Sequence, residues 1–295
     1  MCNVAIIGTG IVGSAVARSL KLKGYNITGV FSKTKEKALL LESDLGCIVA
    51  EAPGDLLEKA EVIFITTYDR EIGGIASVLA QTGSVKTKQT FFHMSGALSS
   101  EILNPLKEKG AATGSIHPLQ SFASVEKAIK NLPGTFFAVQ GDDQASDLAD
   151  RIVRDLGGTA FTVNIKDRML YHLGACVASN YLVAITHFAV SIFRQIGMSS
   201  EQANRALMPL IVGTVSNISE LGPVKALTGP VARGDVGTVE QHLKTLESQK
   251  LILAEVYKAL GCYTTGVAVE KGSIDKFGAE QLMNIFRKGD EKVGE

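Results

Sequence analysis

The sequence predicts a doubly wound α/β domain over 1–163 followed by an all-α domain over 164–295. Three observations predict it. The chain opens on an apolar strand, a glycine-rich turn and a helix. Short apolar runs then alternate with helical stretches as far as Val163, the pattern of a largely parallel sheet covered on both faces. From Lys166 onward only helical patterns remain.

The first element is Asn3-Val4-Ala5-Ile6-Ile7, a partly β-branched run that reads as a buried strand. It leads into Gly8-Thr9-Gly10-Ile11-Val12-Gly13 and then into a helical stretch from Ser14 to Leu20. Strand, G-x-G-x-x-G and helix in this order form the dinucleotide fingerprint in its required context, so the domain reads as a Rossmann fold. Gly8 permits the tight turn, Gly10 lets the backbone approach a pyrophosphate, and Gly13 brings the helix close to the strand. The helix N-terminus offers free N–H groups to the phosphates. Gly8, Thr9, Gly10, Ile11, Val12 and Gly13 are therefore the first expected cofactor contacts.

Asn26–Phe31 reads as the second strand, and its end selects the cofactor. An NAD-preferring site has Asp or Glu here for the ribose 2′-hydroxyl. This chain has Ser32-Lys33-Thr34-Lys35. A hydroxyl followed by cations suits a 2′-phosphate, so Ser32, Lys33 and Thr34 point to NADP(H) rather than NAD(H). Cys47–Val49 reads as a short third strand, Asp55–Ala60 as a short helix and Val62–Thr66 as the fourth strand. Ligands sit at the carboxyl ends of such strands, which places Thr66 and Thr67 at the cleft. A helix over Ile72–Leu79 follows. The fifth strand, Thr90–Met94, ends in Ser95-Gly96, and Ser95 joins the expected cofactor contacts. A helix begins at Ser99. The sixth strand, Thr113–Ile116, runs into His117-Pro118, where proline ends the ladder. Thr135–Val139 and Ala160–Val163 read as further strands around a helix over Gln144–Leu156.

The helical half starts with one long helix, Asp167–Ile196. Its middle, Leu170–Phe193, holds no Asp, Glu, Lys or Arg. That length suffices for a membrane span. His172, Asn180, His187 and several hydroxyls argue instead for a helix buried in a helical domain. Ser199-x-x-Gln202 is a capping box opening a helix to about Leu221, stopped by Gly222-Pro223. Thr228–Asp235 reads as a loop, Thr238-x-x-Gln241 opens a helix to Leu260, and a last helix covers Asp275–Lys288.

Composition excludes some functions. Of 295 residues, 30 are Lys or Arg and 30 are Asp or Glu, which gives no reason to expect a nucleic acid or an anionic membrane as partner. The four cysteines are far apart in sequence, so no metal or C-x-x-C redox site is expected. Met1 runs straight into the first strand, so a signal peptide is not expected and a cytoplasmic location is.

Candidate chemistry lies at two strand ends and on the long helix. His93 and His117 sit where side chains reach a cleft mouth, and a histidine there can move a proton to or from a carbonyl or imine. His172, Cys176, Asn180, Val183 and His187 share one helix face, bordered by Tyr171 and Ser179. His117, His172 and Asn180 are the catalytic candidates. His93, Ser179 and Arg233 are the substrate-binding candidates, Arg233 because its guanidinium suits a carboxylate.

The fingerprint, His93-Met94-Ser95-Gly96, the run Ser115–Phe122, Ala178-Ser179-Asn180-Tyr181, and Thr228–Asp235 with His242-Leu243 resemble predicted NADP-dependent oxidoreductases with a helical C-terminal domain of uncharacterised function. The resemblance covers nearly the whole chain. More distantly, the arrangement is similar to pyrroline-5-carboxylate reductase and the β-hydroxyacid dehydrogenases. It implies a C-terminal domain like that of 6-phosphogluconate dehydrogenase, a small-molecule substrate and a homodimer. One departure matters. The β-hydroxyacid dehydrogenases carry a catalytic Lys four residues before the Asn matched by Asn180, and this chain has Cys176 there. Their mechanism does not carry over intact, which leaves two alternatives beside a carbonyl or imine reductase. One is a non-catalytic NADP(H)-binding regulatory module. The other is a deazaflavin-dependent NADP reductase.

Overall fold

The computed structural model describes residues 2–248 and 251–287. They fold into two compact units that divide between Leu182 and Val183, inside the long helix.

The first unit is built on one eight-stranded sheet. Its strands are β1 (Asn3–Ile7), β2 (Asn26–Phe31), β3 (Ile48–Val49), β4 (Val62–Ile65), β5 (Thr90–His93), β6 (Ala112–Pro118), β7 (Phe136–Gly141) and β8 (Thr159–Thr162). Their order is β3-β2-β1-β4-β5-β6-β7-β8. Strands β1 to β6 pair in parallel. The reversal at β1, where the chain crosses from β3 to β4, makes the carboxyl edge of β1 and β4 the switch point at which such sheets bind ligands. Strand β7 is antiparallel to β6, and β8 is parallel to β7.

The helices of this unit are α1 (Ile11–Leu22), α2 (Lys35–Leu45), α3 (Asp69–Gln81), α4 (Asn104–Lys107), α5 (Val125–Asn131) and α6 (Asp143–Asp155). They cover both faces of the sheet, which explains the near-continuous apolar runs of β1 and β4. Val4 and Ile6 point into one core with Val16, Leu20, Ile152 and Val153. Ala5 and Ile7 point into the other with Ile63, Ile65, Ile72 and Leu79.

The long helix is α7 (Arg168–Gln195), within one residue of expectation at each end. The expectation that it is buried is overturned. Arg168 is its one buried residue. Met169, Leu170, Leu173, Val177, Tyr181 and Val183 are all half exposed or more.

The second unit holds the end of α7, then α8 (Ser200–Leu221), α9 (Pro223–Ala226), α10 (Val236–Glu247), α11 (Leu251–Glu270) and α12 (Lys276–Arg287). The Ser199–Gln202 capping box forms as expected. The single helix expected over Thr238–Leu260 is corrected to two. Asp235, not Thr238, caps α10: its carboxylate accepts from the Thr238 N–H at 3.1 Å and the Thr238 hydroxyl at 2.7 Å. Residues 249 and 250 lie outside the described residues, as does Lys288 at the expected end of α12. Val239, Leu243, Ala268, Leu282 and Phe286 form this unit's own core.

Candidate functional site

The site lies in the first unit, at the carboxyl ends of β1, β4, β5 and β6. The β1–α1 turn takes the form its glycines predict. Gly8 has φ +109°, a conformation side chains avoid. A Cβ on Gly13 would overlap the Gly8 carbonyl and the Thr66 hydroxyl. That hydroxyl donates to the Gly8 carbonyl at 2.6 Å and ties the end of β4 to the turn. Gly10 differs from both. Its φ is −71°, open to any residue, and a Cβ there would meet nothing within 4 Å. The space beside it is a cradle that a side chain would fill.

Gly10 is also the N-cap of α1, with no capping side chain and no acid in the first turn. The first N–H groups of α1 are left for an anion. Beside them the buried hydroxyls of Thr9 and Thr67 have no hydrogen-bond partner among the described residues. A cavity of about 590 Å³ opens here, lined by Val12, Thr66, Thr67, Tyr68, Met94 and Ser95, among others. An open cradle, an uncapped helix and two orphaned hydroxyls fit the pyrophosphate of a dinucleotide.

At the end of β2, Ser32 accepts from the Thr34 N–H at 3.2 Å. The cations beside it are engaged. Lys33 pairs with Glu71 at 2.5 Å and Lys35 with Glu51 at 2.8 Å. Lys33 remains exposed, and its charge holds the Glu71 carboxyl below the usual range.

The turn after β5 gathers the remaining groups. The Ser95 hydroxyl donates to Asp69 at 2.7 Å and accepts from the N–H groups of Ala97 and Leu98 at 3.2 and 3.1 Å. Ser95 is thereby a turn anchor, and its hydroxyl is spoken for. His93 is fully buried. Its Nδ1 accepts from Ser95 N–H at 3.2 Å, so Nε2 carries the proton and donates to the Ser99 carbonyl at 3.1 Å. Burial, then the nearby Arg168 charge, lowers its pKa to about 4. The structure thus corrects the expectation that His93 meets substrate: both ring nitrogens hold backbone.

His117 is placed differently. Its Nδ1 is 2.7 Å from the Tyr171 hydroxyl at the start of α7, with the rings edge to face. The His172 ring lies 6.5 Å away, centroid to centroid. Burial, then Arg168 and His172, lower the His117 pKa to about 4. Gly96 separates the two imidazoles: a Cβ on it would lie 2.8 Å from His117 Nε2 and from His172 Nδ1. His172 Nε2 lies 3.5 Å from the Cys176 thiol, and its buried Nδ1 has no partner.

Arg168 was not among the expected site residues. It is 2% exposed, donates to the Ser95 carbonyl at 2.5 Å and lies over the Tyr171 ring, 5.6 Å from its centroid. A signal was available. Arg168 is the last charge before the charge-free run, and Arg168, Tyr171 and His172 stand at i, i+3 and i+4, on one helix face. Ser179 and Asn180 lie two turns further along α7 and are exposed. Arg233 belongs to the second unit, where it is exposed at the end of the turn Val231–Arg233.

Comparison with known proteins bears on the fold. Residues 1–118 match the family model of the Rossmann-like domain, and residues 135–264 match that of a domain of unknown function, DUF2520. Among solved structures, the chain is similar to protein TM1727 from Thermotoga maritima, at 27% identity and a TM-score of 0.71, over 91% of this chain and 99% of that one. It shares its fold with an imine reductase from Pseudomonas sp., at 16% identity and a TM-score of 0.64, over 97% and 98% of the two chains. It also shares it with a pyrroline-5-carboxylate reductase from Coxiella burnetii, at 18% identity and a TM-score of 0.57, over 93% and 99%. No curated protein matches it in sequence. The DUF2520 match begins before β7, so it takes in the last two strands of the sheet as well as α7 and its cluster.

Proposed function

We propose that the chain is an NADP(H)-dependent oxidoreductase acting on a small carbonyl or imine compound. One observation carries the reading. The Rossmann-like cradle at Gly10 and a half-buried His117–Tyr171 pair meet at the same strand ends, with Ser95 shared between cavity and cluster. The nicotinamide, when bound, supplies or accepts the hydride. Gly8–Gly13, Thr66 and Thr67 hold the dinucleotide, and Ser32, Lys33 and Thr34 face its 2′-phosphate, with Lys33 released from Glu71.

The protein's own residues handle the proton. His117 is neutral at pH 7, its pKa being held near 4. The Tyr171 hydroxyl donates to Nδ1, which leaves the proton on Nε2, beside Gly96. During reduction His117 gives its Nε2 proton to the substrate nitrogen or oxygen and takes the Tyr171 proton at Nδ1. The Arg168 cation over the Tyr171 ring stabilises the phenolate that remains. Burial raises the Tyr171 pKa and Arg168 opposes the rise. Asn180 and Ser179 orient the substrate from the next turns of α7. The reading also includes a homodimer that covers the exposed faces of α7 and α8, and no membrane. Helix α7 is long and apolar enough to span one, but its first turn is committed to the buried cluster.

NADPH oxidation across a panel of small 2-oxo acids, ketones and cyclic imines is the direct test. His117→Ala should lower kcat by about a hundredfold, the usual size of a proton-transfer contribution. Tyr171→Phe should lower it less. Unchanged turnover in both His117→Ala and Asn180→Ala would sink the assignment. NADPH binding without oxidation of any substrate would favour the regulatory module, for which Cys176 in the lysine position speaks.

A further inference from the structure

Among the described residues, Arg168 is a buried cation without a counter-ion. It forms no ion pair there with a carboxylate, and its Nε and Nη1 are buried without partners among them. The acid nearest in its electrostatics, Asp69, accepts from the Ser95 hydroxyl instead. Tyr171 offers its ring face and gives its hydroxyl to His117. A guanidinium taken out of water with one protein hydrogen bond is an arrangement proteins avoid unless an anion completes it.

A third unpartnered nitrogen belongs to the same cluster. The Cys176 thiol lies 3.5 Å from His172 Nε2; with the thiol as donor to that nitrogen, the imidazole proton sits on Nδ1. Nδ1 faces Gly96, whose missing side chain brings it close to the turn, and Ser95 in that turn holds Arg168. Arg168 Nε, Arg168 Nη1 and His172 Nδ1 are then three buried donors with no acceptor among the described residues. Water would meet them with two donors of its own. An anion meets them with acceptors alone.

We propose that Arg168 and His172 form the receptor for a carboxylate of the substrate, set beside the dinucleotide cradle and separate from it. This rests on the oxidoreductase reading and narrows its substrate class to carboxylates: 2-oxo acids or cyclic imino acids. Ser95, whose carbonyl holds Arg168, also lines the cavity. The carboxylate seats as the turn after β5 adjusts, with the reacting carbonyl or imine reaching His117 Nε2 on the other side of Gly96. Arg233, the substrate-anion candidate of the sequence, is not needed for this role.

The test uses 2-oxobutyrate and its neutral counterpart butanone at constant ionic strength. Each is titrated calorimetrically into the full-length protein, with and without saturating NADPH, and NADPH binding is measured on its own. The expected result is that 2-oxobutyrate binds and butanone does not, and that Arg168→Met weakens 2-oxobutyrate by about tenfold or more, the scale of a lost charge-assisted contact, with NADPH affinity unchanged. His172→Phe weakens it less. Because methionine removes an uncompensated charge, Arg168→Met should also melt no lower than the wild type in anion-free buffer. Where Arg168→Met does not fold, Arg168→Lys and His172→Phe carry the same comparison. Equal binding of the acid by wild type and variants, or no binding by the wild type, overturns the receptor. Loss of NADPH binding with retained 2-oxobutyrate binding would overturn the oxidoreductase reading and leave the receptor standing.

Discussion

Gly10 and Gly13 are the same residue type three positions apart, and the structure gives them opposite tasks. A Cβ on Gly13 would collide with protein, whereas one on Gly10 would enter open space. Gly13→Ala should therefore cost about 1–3 kcal/mol of stability by overpacking, read as a lower Tm. Gly10→Ala should leave the Tm unchanged and weaken NADPH by about tenfold or more, since it obstructs the pyrophosphate. Lys33 carries a second expectation. Lys33→Ala should weaken NADPH while leaving NADH untouched, and Glu71→Gln, which frees the Lys33 ammonium, should tighten NADPH. Equal effects on both nucleotides would remove the 2′-phosphate contact. His93 supplies a pH signature. Its folded pKa of about 4 lies below the ordinary 6.5, so the unfolded chain binds more protons between those values. Stability is then full above pH 6.5 and falls as pH drops towards 4, by on the order of 3 kcal/mol for His93. His93→Gln should flatten that slope in a pH series of melting curves, because Gln keeps a donor and an acceptor for Ser99 and Ser95 and does not titrate.

At the scale of elements, the parallel core of the sheet was legible because buried strands write their identity as short apolar runs between helices. Strands β1, β2, β4 and β5 each begin where the apolar run begins. The antiparallel pairing of β7 on β6 was not legible, since alternation in sequence reports that a strand exists and not its direction. That pairing has a local consequence: the ladder runs past Ile116 through His117 to Pro118, opposite Ala138 and Phe137. His117 is therefore a strand residue with a held backbone, and the first turn of α7 can present Tyr171 to it. Helix α10 shows the reverse error. Thr238-x-x-Gln241 has the capping pattern, but Asp235 three residues earlier takes the cap, and the Thr238 hydroxyl donates to it. Asp235→Ala should lower the Tm through the loss of a cap worth about 1 kcal/mol.

The whole molecule leaves apolar faces uncovered. Leu210, Val212 and Val215 of α8 are exposed in the second unit, and Leu170, Leu173 and Val177 of α7 in the first. In each unit an exposed apolar row on a long helix marks an interaction surface, and a second copy of the chain is the partner proposed for both. Sedimentation velocity should show a dimer, and Leu210→Glu should shift it to monomer with its secondary structure intact. A monomeric wild type would remove that part of the reading.

The sequence by itself determined the strands β1 to β6, the glycine turn after β1 and the length of α7, because these depend on local patterns: glycine at a sharp turn, apolar runs between breakers, an uninterrupted helical stretch. Only the tertiary structure decided which histidine is held by backbone on both ring nitrogens. His93 and His117 look alike at strand ends, yet one is held by two backbone groups and the other faces Tyr171. It also decided that Arg168 is buried without a counter-ion among the described residues. Composition counts charges in balance over the chain, and burial and pairing depend on which residues the fold brings within a few ångströms.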